Sequence, residues 1–172
     1  GILERHSLII HKQKLELFTL SGFGKNLAKS GLGITKPLAG LQRDHSKLFH
    51  DLSVNDALVH AKTLMSSRGF AFKGAVSEHL MYSSKKSANS DRGHNYADAY
   101  LVFSNDHGED HTVAVEYGNY RPAYLKEKLS GLEADEVFLY THDVQKAGAY
   151  EHIAQELGRE DVSVFVLDSL EV

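Results

Sequence analysis

"YADAYLVFSNDHGEDHTVAVEYG" (residues 96–118) is where the fold of this chain is decided. Its outer parts, "YADAYLVF" (96–103) and "TVAVEYG" (112–118), are rich in β-branched and aromatic residues, the composition of strands. Val113, Val115 and Tyr117 alternate with Thr112, Ala114 and Glu116, which is the period of a strand with one apolar face. The middle, "SNDHGED" (104–110), collects Ser, Asn, Asp and Gly, residues that favour turns. The spacing predicts a β-hairpin centred near Gly108. Such a hairpin sets Asp98, near the start of one strand, beside Glu116, near the end of its partner. Two carboxylates held side by side repel and raise each other's pKa unless a cation lies between them. Oxygen ligands favour Mg²⁺ or Mn²⁺, and such an ion activates water and offsets charge on a phosphate. Gly118, after the carboxylate, is expected to turn the chain without a side chain that would crowd a substrate backbone.

Other elements follow on both sides. From Ser53 the apolar residues Val54, Ala57, Leu58, Ala61, Leu64 and Met65 recur at helical spacing. Ser53 with Asp56 three residues later resembles a capping box, and Gly69 is a plausible helix terminator. "FAFKGAVSEHLMY" (70–82) reads as a short strand and then a helical turn carrying Glu78. A helix over 122–132 starts on Pro122, where proline is tolerated. "EVFLYTH" (136–142) is a buried strand. A helix over 145–157 puts Tyr150, Ile153, Ala154 and Leu157 on one face, and "VSVFVLD" (162–168) is a last strand. The order predicts an α/β domain, a mixed central sheet flanked by helices. Upstream, "SLIIHKQKLELFTL" (7–20) reads as two short strands or a β-ribbon, 21–29 as a short helix, and the glycine-rich 30–42 as a linker. The chain therefore divides into residues 1–42 and a main domain over 43–172.

Composition narrows the classes of function. The 172 residues suffice for one domain with a core and leave room for a small appendage. There is no cysteine, so disulfides, thiolate metal sites and cysteine nucleophiles are excluded. No apolar run reaches the roughly 20 residues that span a bilayer, and no signal peptide is visible, so a cytoplasmic location is expected. The net charge is −4, unevenly spread. Residues 1–50 hold eight Lys/Arg against three Asp/Glu; residues 133–172 hold two against ten. The first segment suits phosphate, with Lys12 and Lys14 as candidate DNA contacts. The last suits docking of a protein. Lys85, Lys86 and Arg92 lie in a polar loop before the Asp98 strand and are further candidate DNA contacts.

Glu78, "YADAYLVF" with Asp98, "VAVEYGNY" with Glu116, then a helix with lysines, resembles the order of the PD-(D/E)XK nuclease superfamily. More narrowly, "LFHDLSVNDALVHAKTL" (48–64), the Glu78 stretch, "ADAYLVF" and "VAVEYGNYRPAYLKEKL" (113–129) are similar to MobC-type plasmid relaxases and the related replication-relaxation proteins. "LFTLSGFGKNLA" (17–28) resembles the end of their winged-helix domain, where Thr19 to Gly22 would turn from the wing into a helix. The resemblance implies a restriction-endonuclease-like fold and a metal-dependent DNA endonuclease. Such a protein nicks one strand at a plasmid transfer origin in the bacterial cytoplasm, with relaxosome or coupling proteins as partners. By position, Asp98 and Glu116 would hold Mg²⁺ or Mn²⁺, Glu78 would be an auxiliary ligand or base, and Lys128 would stabilise the phosphate. Two positions depart from the pattern. Ala97 stands where a proline precedes the first Asp, and Gly118 stands where the lysine follows Glu116. Lys126 and Lys128 are both available to supply the missing charge.

The rival class is a non-catalytic accessory DNA-binding protein that keeps the nuclease scaffold. None of the 11 histidines forms the His-hydrophobic-His triplet of other relaxases. Tyr117 and Tyr120 flank Gly118 and leave a covalent tyrosyl route open, although packing against the sheet is the commoner fate of such residues. His107 and His111 bracket a turn rather than a helix, so their rings need not converge on a metal. His50-Asp51 matches the family and is expected to cap a helix entry.

Overall fold

A computed structural model describes residues 3–10, 13–20, 45–78 and 96–167. The chain divides into two compact units, residues 1–49 with 170–172, and residues 50–169. In the first unit, β1 (Leu3–Ile10) and β2 (Gln13–Leu20) pair antiparallel, from Leu3 opposite Leu20 to Ile10 opposite Gln13. That is the ribbon expected from the sequence, with its first strand begun earlier. The short helix, the glycine-rich linker and the 42/43 boundary lie outside the described residues, as do Lys12, Lys85, Lys86 and Arg92.

The second unit is an α/β layer structure. Helix α1 runs over His45–Ser67, and its residues from His50 onward belong to this unit. It is followed by β3 (Ala71–Ser77), β4 (Ala99–Ser104), β5 (Asp110–Tyr117), α2 (Pro122–Gly131), β6 (Glu136–Thr141), α3 (Val144–Glu156) and β7 (Val162–Val166). The five strands form one mixed sheet in the order β3-β4-β5-β6-β7, with β3, β4 and β5 antiparallel and β5, β6 and β7 parallel. No described helix is long and apolar enough to cross a membrane.

Alternation assigns the two faces. Val113, Val115 and Tyr117 of β5 lie on the face of Phe138 and Tyr140 of β6. Against that face α1 lays its small buried residues Ala57 and Ala61. Small side chains let the helix approach, while the bulk comes from the strands: the His60 ring stands edge-on to Tyr140 and tilts over Phe165. The opposite face carries Ala114, Val137 and Leu139. They pack with Leu125, Leu129 and Leu132 from α2 and its end, and with Tyr150, Ile153 and Ala154 of α3. The α3 stripe is the one its period predicts. Asp143 caps that helix by accepting from the N–H groups of Gln145 and Lys146. Arg159 reaches the orphan carbonyls of Leu129 and Leu132 at the end of α2, groups that no helical N–H can satisfy.

The helix expected to start at Ser53 starts at His45 instead. Ser53 is therefore inside the helix, fully buried, and caps nothing. Its hydroxyl meets His142 Nε2 at 3.1 Å. His142 Nδ1 lies 3.0 Å from the Leu167 carbonyl oxygen, so Nδ1–H donates there and Nε2 accepts from Ser53. The serine thus ties α1 to the far ends of β6 and β7. His50, also inside the helix, is no entry cap either.

Candidate active site

The hairpin delivers its two carboxylates as its register requires. Ala99 pairs with Val115 and Ser104 with Asp110, so one more step sets Asp98 opposite Glu116, with the turn at Asn105 to Glu109. Asn105 Oδ1 accepts from the N–H groups of His107 and Glu109, and Gly108 has φ +79°, the left-handed conformation that favours glycine. His107 stays exposed while His111 turns to Glu136, 2.9 Å away.

At the sheet end the two acids are bound to each other through the backbone. Asp98 N–H donates to Glu116 Oε2 at 3.1 Å, and Tyr117 N–H donates to Asp98 Oδ2 at 2.8 Å. Glu78, after β3, donates its own N–H to the Asp98 carbonyl at 2.9 Å. Helix α1 brings His50 Nε2 to 3.5 Å from Asp98 Oδ1, with the imidazole edge-on to the Tyr117 ring.

Glu116 is fully buried, and a cation does lie beside it. Lys128 Nζ is 2.5 Å from Oε1. Lys128 stands in the apolar stripe of α2, between Leu125 and Leu129, and so points inward. Lys126 is on another face and pairs with Glu156 on the surface at 2.5 Å. The Tyr120 hydroxyl donates to the same Oε1 and lies 3.0 Å from the Tyr117 carbonyl oxygen. Its own N–H donates to the Tyr150 hydroxyl at 2.6 Å.

These contacts set the protonation of the site. Burial, reinforced by the Asp98 charge, raises Glu116 to about 7, against the pull of Lys128 and Tyr120. Burial also raises Asp98; the Tyr117 N–H, His50 and Lys128 oppose it. Burial works against the Lys128 ammonium, yet Glu116 and Asp98 hold its pKa above the ordinary value. Burial and the Glu116 charge push the Tyr120 phenol far up, so it stays a donor. Burial raises Tyr117 as well, with a Ser53 hydrogen bond opposing. Neither tyrosine has the lowered pKa that activates a nucleophile.

Gly118 has a different reason from the one its position suggested. A Cβ there would sit 2.2 Å from Tyr120 Cζ and 2.5 Å from its hydroxyl oxygen. The missing side chain makes room for the tyrosine that holds Glu116. Gly118→Ala is expected to displace that ring and cost about 1–3 kcal/mol. In a Tyr120→Ala background the same change should cost less than about 0.5 kcal/mol. Thermal unfolding of the four proteins measures this, and equal costs in both backgrounds would contradict it.

Among the described residues no group of three or more His, Asp and Glu side chains is placed to hold a metal ion. The pair nevertheless fits an ion that takes one or two carboxylates and completes its shell with water and phosphate oxygens. A carboxylate offers about four lone-pair directions. Three of those on Glu116 are used by Lys128, Tyr120 and the Asp98 N–H, which leaves one on Oε2, while Asp98 accepts one N–H. No family model, no curated protein and no solved structure matches this chain.

Sequence reasoning brought Asp98 and Glu116 to one place and left Lys126 and Lys128 both available as the cation. It missed Tyr120 as the partner of Glu116 and His50 as the neighbour of Asp98. The stripe Leu125-Lys128-Leu129-Leu132 is a readable signal for Lys128, because a lysine at apolar spacing must find a buried anion.

Proposed function

We propose that this chain is a metal-dependent DNA strand-nicking domain with a restriction-endonuclease-like fold, of the relaxase type. The supporting observation is that two acids, Asp98 and Glu116, stand opposite each other at the sheet end and that one of them, Glu116, meets a buried lysine. That end is where the parallel strands β5 and β6 terminate, the usual ligand side of such sheets. Asp98 and Glu116 would hold Mg²⁺ or Mn²⁺, which supplies water activation and offsets charge on the phosphate. Lys128 neutralises the second carboxylate and stands ready for a phosphate oxygen. Tyr120 fixes the orientation of Glu116, and His50 lies beside Asp98. The narrower reading is nicking at a plasmid transfer origin, with relaxosome or coupling proteins as partners and the β1–β2 ribbon as a wing. It rests on the resemblance of 48–64 and 113–129 to MobC-type relaxases.

A second reading is a non-catalytic DNA-binding protein on the same scaffold. The closed contacts around Glu116 favour it: a carboxylate already satisfied by Lys128, Tyr120 and a backbone N–H needs no metal.

Mn²⁺ calorimetry tests the proposal. Binding with a micromolar-to-millimolar constant is expected, lost in Glu116→Gln, and strengthening as pH rises through about 7, where Glu116 releases its proton. No heat with Mn²⁺, either alone or with a DNA oligomer present, sinks the catalytic reading and leaves the second.

A further inference from the structure

Away from the two carboxylates, β7 forms one edge of the sheet. Among the described residues no strand lies beyond β7. Leu167 N–H bonds the Thr141 carbonyl, and Val137 N–H bonds the Asp161 carbonyl, so the odd-numbered residues of β7 turn their backbone toward β6. The even-numbered Val164 and Val166 therefore turn theirs outward, as does Val162 its carbonyl, while the Val162 N–H is taken by the Arg159 carbonyl at 3.3 Å. Beside this edge, between β7 and α3, runs a groove of about 400 Å³ lined by Glu151, Gln155, Glu160, Val162 and Val164, with Arg159 at its wall. Among the described residues that line it, the one cation is committed elsewhere: Arg159 holds Asp161 at 2.7 Å and the carbonyls that end α2.

We propose that the β7 edge and the α3 groove dock an extended basic segment of a partner protein, added as a sixth strand. A strand edge next to a helix supplies main-chain hydrogen bonds for affinity and a groove for alternate side chains. The five residues of β7 offer about 16 Å of edge, room for a segment of about five residues. Glu151 and Glu160 select lysine or arginine on the groove side, where the stems of those side chains lie along Val162 and Val164. The alternate side chains of the added strand fall on the other face, that of Phe165. The same charges argue against other occupants. Nucleic acid is repelled, and two copies paired edge to edge would bring identical glutamates together. Residues 133–172 as a whole carry ten acidic residues against two basic ones, which steers a basic partner to this side. The assignment is independent of the metal reading, because none of these residues touches Asp98 or Glu116.

The probe is a fluorescein-labelled peptide of about six residues alternating lysine and valine, titrated by polarisation against the full chain. Saturable binding is expected, with none for the same peptide carrying glutamate in place of lysine. Glu151→Lys with Glu160→Lys should weaken binding by about tenfold or more. Val164→Pro, which removes an outward N–H but no β6 bond, should abolish it. Should the proline variant fail to fold, amide exchange reads the same contact: Val164 and Val166 become protected when the peptide is bound. Three results would each overturn the proposal. They are no binding of the basic peptide, unchanged affinity in the charge-reversed chain, or amides of β7 unaffected by peptide. A concentration-dependent dimer that protects the β7 amides without peptide would replace the partner with a second copy.

Discussion

Lys128→Met is expected to lower the unfolding free energy by about 3 kcal/mol near pH 8.5 and by less than about 1 kcal/mol near pH 5. The methionine fills much of the same stem volume, so the loss is electrostatic: it strands the fully buried Glu116 carboxylate. A proton relieves that, which is why the penalty shrinks in acid. The wild type carries the same sign. Burial raises Glu116 from 4.5 to about 7, above its unfolded value. Its contribution is therefore complete below about 4.5 and is lost as pH rises through about 7. Over that window wild-type stability falls relative to Glu116→Gln, whose amide does not titrate. Glu116→Gln combined with Lys128→Met should recover most of the loss at pH 8.5, because neither partner is then a buried lone charge. Chemical denaturation of the four proteins at both pH values measures the cycle. Additive losses would mean that the 2.5 Å contact contributes nothing specific.

Asp98→Asn is expected to reduce conversion of supercoiled plasmid to open circle with Mn²⁺ by more than about 100-fold, beyond the roughly 10–100-fold typical when only a ligand's supporting contact is changed. DNA affinity should stay the same or rise, since one negative charge near the phosphate is gone. The amide can still accept the Tyr117 N–H, so the fold at the sheet end is kept and the loss belongs to ion binding. Gel assays at matched DNA occupancy measure it. Equal nicking by wild type and variant would remove Asp98 from the chemistry. No nicking by either, with DNA still bound, would favour the scaffold reading.

Much of the fold was legible because its signals are local. Alternation in 112–118 and turn chemistry in 104–110 define the hairpin, and the register of an antiparallel pair then follows by counting, so Asp98 and Glu116 had to face each other. The face of α3 was readable for the same reason, since Tyr150, Ile153 and Ala154 repeat at helical spacing. The start of α1 was not. Ser53 and Asp56 imitate a helix entry, but eight residues upstream the chain is already helical, and the half-buried His142 imidazole takes the serine hydroxyl instead of a cap. A capping pair is a preference of about 1 kcal/mol, small beside the packing of a helix on a sheet.

Periodicity and turn residues act between near neighbours, and they were enough to set the α/β order, the hairpin and the pairing of two carboxylates. What neutralises Glu116 depends instead on how the α2 helix packs on the sheet. Lys126 and Lys128 differ by two positions on one helix, hence by about 200° around its axis. The burial of Leu125 and Leu129 against Leu139 and Tyr150 set the rotation that turned Lys128 inward. The same docking seated the Tyr120 ring over Gly118 and against Glu116, a contact between residues too close in sequence to be a fold signal and too specific in rotamer to be read from composition.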